Sequence, residues 1–184
     1  EVSLEEAEII AKDTKDEIKY PFIIKYNATE KDNLITLIDK LGCDIVREMD
    51  FANCIAVSLN MKQLEYIKKS SGVIYVETNC TYNILNEEAS RACAEYAIQH
   101  VENIFKENNQ KVKIAVFDTG VNEVELKDTA CFVNEDKDSI SNDHGTELIK
   151  IISSANKNEE KADIYSVKVC DENGGTTTDA VMSA

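Results

Sequence analysis

The sequence is poor in basic residues and has no long apolar run. Its 20 Lys and Arg residues stand against 35 Asp and Glu residues, so the formal net charge is −15, and both halves of the chain are acidic. Nucleic acids and anionic membranes are bound by basic patches, so this balance argues against both as partners. A membrane-spanning helix needs roughly 20 apolar residues in succession. No stretch approaches that length, so we predict no membrane span.

Histidine is scarce, and cysteine is dispersed. The chain contains six cysteines, and no two of them form a Cys-x-x-Cys pair. Disulfide scaffolds are much denser in cysteine, and a free cysteine packs as a small apolar side chain. We therefore predict unpaired thiols rather than a disulfide framework. Only two histidines are present, His100 and His144, so any histidine chemistry falls on one of them.

The first half of the chain alternates between strand and helix patterns. Residues 1–19 are highly charged and predict a leading helix or arm. The elements predicted after it are a strand at 20–26, a helix at 32–41, strands at 44–48 and 54–59, a helix at 61–70 and a strand at 73–77. This β-α-β-β-α-β order is that of the ferredoxin-like fold. A fold of this kind does not by itself indicate a function.

The second half is organised around Lys111–Gly120, which is typical of a buried parallel strand ending on Asp118. Four consecutive apolar residues, 114–117, are expected of a strand that is covered on both faces. Thr119 and Gly120 then end the strand. Burying a lone carboxylate is costly, so Asp118 needs a partner or a chemical task.

The obvious partner is His144, in the segment Asn-Asp-His-Gly-Thr at 142–146. A helical pattern follows directly, and its predicted inward face consists of Leu148, Ile151, Ile152 and Ala155. A strand-end Asp and a helix-start His converge at the same edge of an α/β sheet. We therefore expect Asp118 and His144 to be hydrogen-bonded or nearly so.

Two motifs resemble the signatures of the subtilisin-like serine proteases. They are an apolar strand that ends in Asp-Thr-Gly and a His-Gly-Thr sequence that opens a helix, and they occur in the same order as in that family. The resemblance implies an α/β catalytic domain and hydrolysis of peptide bonds by an Asp/His/Ser triad, without a metal or other cofactor. Asp118 and His144 would be catalytic, Asn142 would line the substrate cleft, and the partner would be a peptide or protein substrate. The family's Gly-Thr-Ser-Met-Ala motif has no match here. We therefore expect the nucleophilic serine in a remainder of the catalytic domain outside this chain.

The first half also resembles the propeptide of that family, which acts as intramolecular chaperone and inhibitor. The closest matches are the opening strand and residues 50–59 and 72–77. The resemblance implies a propeptide at 20–85, the N-terminal part of a catalytic domain at 86–184, and autocatalytic cleavage of a zymogen between Leu85 and Asn86. Such a protease would be secreted or at the cell surface.

The strand predicted at 163–170 is followed by a glycine-containing segment. In the family, this segment pairs with the substrate backbone as a β edge, and the match falls on Gly174, Gly175 and Thr176. A plain turn is the alternative for these residues. Residues 82–85 would lie extended against the edge, with Tyr82 in an apolar subsite.

Some features depart from the family pattern. Glu147 stands where the family usually has a second histidine. The connection at 156–161 is short and offers no ligand-rich turn, so we predict that it binds no calcium. The acidic stretch 121–143 is predicted to be a solvated loop rather than a metal site.

Two other classes of protein fit parts of the pattern. Phe-Asp-Thr-Gly is also the signature of aspartic proteases, but those use two such motifs in an all-β fold. The more serious rival is a catalytically inactive member of the subtilisin-like family that serves as a binding or signalling module, because propeptide and catalytic start remain in one chain.

Overall fold

The computed structural model of the protein describes residues 2–84, 112–133, 142–155 and 162–184. The chain divides into two compact units, Glu1–Cys80 and Thr81–Ala184. The class is mixed α/β, with an antiparallel sheet in the first unit and a parallel sheet in the second. Among the described residues, no helix is long and apolar enough to cross a membrane.

The first unit is built on a four-stranded antiparallel sheet in the order β2-β3-β1-β4. Its elements are α1 (Leu4–Asp13), β1 (Tyr20–Tyr26), α2 (Lys31–Lys40), β2 (Asp44–Met49), β3 (Cys54–Leu59), α3 (Met61–Ile67) and β4 (Val73–Thr78). From β1 onwards, this is the predicted order of strands and helices. Helix α3 ends at Ile67, earlier than the predicted Ser70.

The core of the first unit follows from the apolar spacing of its helices. Leu34, Leu37 and Ile38 are buried on one face of α2, as the three- and four-residue spacing requires. Helix α3 begins on a capping box in which the Asn60 side chain accepts from the Gln63 N–H and the Gln63 side chain accepts from the Asn60 N–H, both at 2.9 Å. These bonds satisfy backbone donors that have no partner inside the helix.

Helix α1 is part of the first unit. Ala7 is fully buried in the unit's apolar core. The Tyr66 hydroxyl group accepts from the Ser3 N–H at 2.9 Å and lies 2.8 Å from the Ser3 carbonyl oxygen. Of the two alternatives for the N-terminal residues, the structure therefore shows a packed helix rather than an arm.

The second unit contains a parallel sheet in the order β6-β8-β7 and a short antiparallel pair, β5 with β9. Its described elements are β5 (Thr81–Asn83), β6 (Val112–Asp118), β7 (Asp128–Cys131), α4 (His144–Ala155), β8 (Ala162–Lys168), β9 (Gly175–Thr177) and α5 (Thr178–Ser183). Strand β7 lies in the stretch predicted to be a loop. It is only four residues long, so its pattern is too short to indicate a strand.

Packing in this unit agrees with the sequence pattern in part. On β6, Val116 packs in the cluster formed with α4 and β8, whereas Phe117 is 45% exposed in this chain. On α4, Leu148 and Ile152 pack against the same cluster, as predicted. The fully buried residue of α4 is Ile149, which the sequence pattern does not place on the inward face, and Ile151 is half-buried.

Several predicted features lie outside the described residues. They are His100, the boundary at Leu85 and Asn86, and the connection at 156–161. The propeptide boundary and the absence of a calcium loop remain predictions.

Candidate active site

The last residue of β6 and the first residue of α4 meet at the carboxyl edge of the parallel sheet. Both carboxylate oxygens of Asp118 lie 2.9 Å from Nδ1 of His144. Asp118 is 5% exposed, and the side chain of His144 is 19% exposed. The predicted contact between these two residues is therefore present, and Asp118 is screened from water while the imidazole keeps partial access to it.

The burial of Asp118 is compensated by hydrogen bonds. Its Oδ1 atom accepts from the backbone N–H of Thr119 at 2.7 Å, in addition to the contact with His144. Its carbonyl oxygen accepts from the N–H groups of Val169 and Cys170 at 2.9 and 3.1 Å. These bonds fix the end of β6 on the chain that follows β8, so the carboxylate is held on a rigid element.

Asn142 shapes the start of α4. Its side-chain oxygen accepts from the His144 N–H at 3.0 Å, and its Nδ2 donates to the carbonyl oxygen of Glu172 at 3.3 Å. The first bond satisfies an amide without a partner inside the helix. The second connects the helix start to the turn before β9. That Asn142 lines a substrate cleft remains a prediction.

Gly145 allows the acid and the base to approach each other. A Cβ atom at this position would lie 2.4 Å from the carbonyl oxygen of Gly120 and 3.1 Å from Oδ1 of Asp118. Any other residue would push α4 away from β6. The glycine of the His-Gly-Thr motif therefore has a steric reason that the sequence pattern does not reveal.

The segment after β8 contains a tight turn and then a short strand. That Gly174, Gly175 and Thr176 pair with a substrate backbone remains a prediction. Gly174 has a positive φ of 78° and sits in the turn, while Gly175 and Thr176 lie in β9. The Asp171 carboxylate closes the turn by accepting from the N–H groups of Asn173 and Gly175 at 2.9 and 2.8 Å.

An extended segment lies along this edge. Tyr82 is opposite Thr176, and Asn83 is opposite Gly175. The next N–H, that of Ile84, donates to the carbonyl oxygen of Gly174 at 2.9 Å. The predicted strip of backbone pairing is therefore present over Thr81–Ile84.

Tyr82 and Ile84 differ in exposure within this chain. That Tyr82 occupies an apolar subsite remains a prediction. Tyr82 is 52% exposed, whereas Ile84 packs against the buried cluster of Val167, Val169 and Cys170. A Cβ atom on Gly174 would lie 2.5 Å from Cγ1 of Ile84. Ile84 takes the apolar position because the glycine opposite it leaves space that a side chain would fill.

Cys170, which is buried near Asp118, is not an activated nucleophile. Burial raises the pKa of its thiol to about 11, and the carboxylates of Asp118 and Asp171 contribute to the rise. A thiol with such a pKa remains protonated near neutral pH. In the part of the chain that the structure describes, no group of three or more His, Cys, Asp and Glu side chains is arranged to hold a metal ion.

No family model matches the chain, and no curated protein sequence matches it. Among solved structures, the chain is similar to a crystal structure of the epidermin leader peptide processing serine protease from Staphylococcus aureus. The identity is 14% and the TM-score 0.48, over 84% of this chain and 43% of that one. The chain thus spans less than half the length of that protein. We base the proposed function on the geometry of this chain's own residues.

Proposed function

We propose that the chain is the N-terminal portion of a subtilisin-like serine endopeptidase, produced as a zymogen, whose nucleophilic serine lies outside residues 1–184. The observation that carries the proposal is the contact of both Asp118 carboxylate oxygens with Nδ1 of His144, at 2.9 Å. It is the Asp–His half of a Ser-His-Asp triad. A secreted or cell-surface location fits such a zymogen.

The proposed chemistry assigns a separate task to each residue. Asp118 accepts the Nδ1 hydrogen of His144, which selects the tautomer with an unprotonated Nε2 and stabilises the imidazolium when it forms. Nε2 takes the proton of the serine hydroxyl group as the serine attacks the peptide carbonyl. It then returns the proton to the leaving amine, so that the peptide bond breaks.

The substrate is proposed to be an extended peptide that adds to the edge of β9. The pairing of Thr81–Asn83 with Gly175–Thr177 supports this mode, because one stretch of this chain already lies there as a strand. In the proposal, residues 20–85 are the propeptide and 81–85 its product-like end. Backbone bonds to β9 and the apolar contact of Ile84 hold that end in place.

The proposal is tested by incubating the full-length protein and sequencing the N-termini that appear. We expect a new terminus within about three residues of Asn86. It should be absent from His144→Ala and present in the matched control His100→Ala, which removes the chain's other histidine. A terminus that appears equally in His144→Ala would contradict the catalytic role of His144.

The alternative is an inactive relative that binds peptides without cleaving them. Pairing at β9 needs only backbone groups, so it persists without catalysis. Folded full-length protein that contains a serine in the family motif, yet shows no cleavage of itself or of a peptide library, would favour this alternative.

A further inference from the structure

Thr119 follows the candidate catalytic acid directly and is 2% exposed. Its hydroxyl oxygen has three polar neighbours. They are the carbonyl oxygen of Asn142 at 2.9 Å, the N–H of Gly145 at 3.1 Å and Oδ1 of Asp118 at 3.2 Å. The two nearer neighbours are backbone groups at the start of α4, and the third is the carboxylate of the candidate acid.

The chemistry of a hydroxyl group decides how these neighbours are used. It has one hydrogen to donate and lone pairs that accept. The Gly145 N–H can only donate, so Thr119 accepts from it. The Asn142 carbonyl oxygen can only accept and is the nearer of the two acceptors, so it receives the hydroxyl hydrogen.

The two backbone partners lie on either side of His144 in the sequence. One hydroxyl group thus holds the residues before and after the candidate base, while Thr119 itself is covalently next to the candidate acid. Because the group is buried, water cannot easily replace either bond if the hydroxyl is removed. A second bond, from the Asn122 N–H to the hydroxyl oxygen of Thr146 at 3.0 Å, joins the same loop to the same helix.

From this geometry we propose that Thr119 is a positioning residue that fixes the start of α4 against the end of β6 and thereby keeps Nδ1 of His144 on Asp118. Thr119 does not touch the reacting atoms. In this chain it keeps the imidazole of His144 in one tautomer. The consequence of that role for catalysis rests on the proposed function.

The test is NMR of the 184-residue chain labelled with ¹⁵N-histidine, in a His100→Ala background that leaves one imidazole. Thr119→Ser and Thr119→Ala form the matched pair, because both lose the methyl group and only Ser keeps the hydroxyl. We expect the parent and Ser variant to show a single tautomer with a slowly exchanging Nδ1 proton. The Ala variant should show mixed tautomers and loss of that proton resonance.

Thr14→Val is the control, since Thr14 is equally buried and donates its hydroxyl hydrogen to the carbonyl oxygen of Ile10 at 2.7 Å in the first unit. It should leave the imidazole spectrum unchanged. The proposal is overturned if Thr119→Ala keeps the parent spectrum, or if Thr119→Ser loses it as fully as Thr119→Ala. Should Thr119→Ala not fold, Thr119→Val supplies the variant without a hydroxyl group.

In the full-length protein, Thr119→Ala should lower kcat by about tenfold with KM unchanged, the order of magnitude expected when buried hydrogen bonds are lost. The kinetic measurement tests the proposed function, and the spectroscopic measurement tests the positioning role of Thr119. A protein without peptidase activity would contradict the proposed function while the tautomer measurement still decides the role of Thr119.

Discussion

The two units bury polar groups of different kinds. Among the described residues of the first unit, the buried polar side chains are neutral and belong to Thr14, Asn60, Gln63 and Asn79. In the described part of the second unit they include charged residue types as well, namely Asp118, Lys168 and Asp179. Burial of a charged group is costly unless bonds compensate it.

The neutral buried groups of the first unit are suited to stabilising a fold, whereas a buried charged group such as Asp118 is suited to chemistry. In the first unit, Asn60 and Gln63 complete a helix start, and most of the buried apolar side chains belong to one cluster. In the second unit, buried Asp118 lies against a histidine at a strand end. The pair Asn60 and Gln63 thus supports the fold of the first unit, whereas the second unit contains the candidate acid and base.

The largest expected effect is that of Asp118→Asn in the full-length protein. The amide presents the wrong partner to Nδ1 and favours the wrong tautomer, so the peptidase rate should fall by roughly 10⁴-fold. The matched control is Asp143→Asn, an exposed carboxylate next to His144. Activity is measured as kcat/KM on one peptide. An equal loss of activity in both variants would show that buried Asp118 has no role that exposed Asp143 lacks.

The next effect is on the stability of the first unit. Ile38→Ala removes a fully buried side chain from its core and should lower the free energy of unfolding by about 2–5 kcal/mol. Ile9→Ala, on the exposed side of α1 at 57% exposure, should change it by less than about 0.5 kcal/mol. Urea unfolding followed by circular dichroism gives both values. Similar losses in the two variants would show that the core is not where the structure puts it.

Gly174→Ala should release the segment Thr81–Ile84 from β9. It forces alanine into a φ of 78° and places a Cβ 2.5 Å from Ile84, and the backbone conformation alone costs about 1–2 kcal/mol. We expect faster hydrogen exchange at the Ile84 amide. Gly42→Ala carries the similar strain of a φ of 64°, with its nearest contact at 3.6 Å. It should leave that amide protected. Faster exchange in both variants would indicate a general loss of stability rather than a local release of Thr81–Ile84.

The smallest effect concerns the ion pairs of Lys31 with Glu48 and Asp50, at 2.8 and 2.6 Å. The hydrogen bond from Lys31 lowers the pKa of Asp50. A carboxyl group whose pKa is lower in the folded state stabilises the folded protein at pH values above its unfolded pKa, which is near 3.9. This contribution is lost as the pH falls through the pKa of the folded state. Lys31→Met should therefore lower the Tm slightly at pH 7, and the difference should shrink towards pH 2. A difference that is constant over this range would exclude the ion pair as its cause.

The sequence alone was sufficient for features that depend on neighbours along the chain. Apolar spacing predicted most of the described strands and helices, because the pattern of each element lies within a few neighbouring residues. The contact between Asp118 and His144 followed from a strand end and a helix start that meet at one sheet edge. The proposed propeptide, its cleavage site and the catalytic roles remain predictions.

Only the tertiary structure decided which side chains meet across elements. On α4 the fully buried residue is Ile149, and a pattern of apolar residues leaves the rotation of a helix open within one position. Ile84 rather than Tyr82 is packed because a glycine lies opposite it. The Thr119 hydroxyl group contacts residues on both sides of His144 because the start of α4 lies against the end of β6. Such contacts join residues far apart in the chain, and no local pattern encodes their distance.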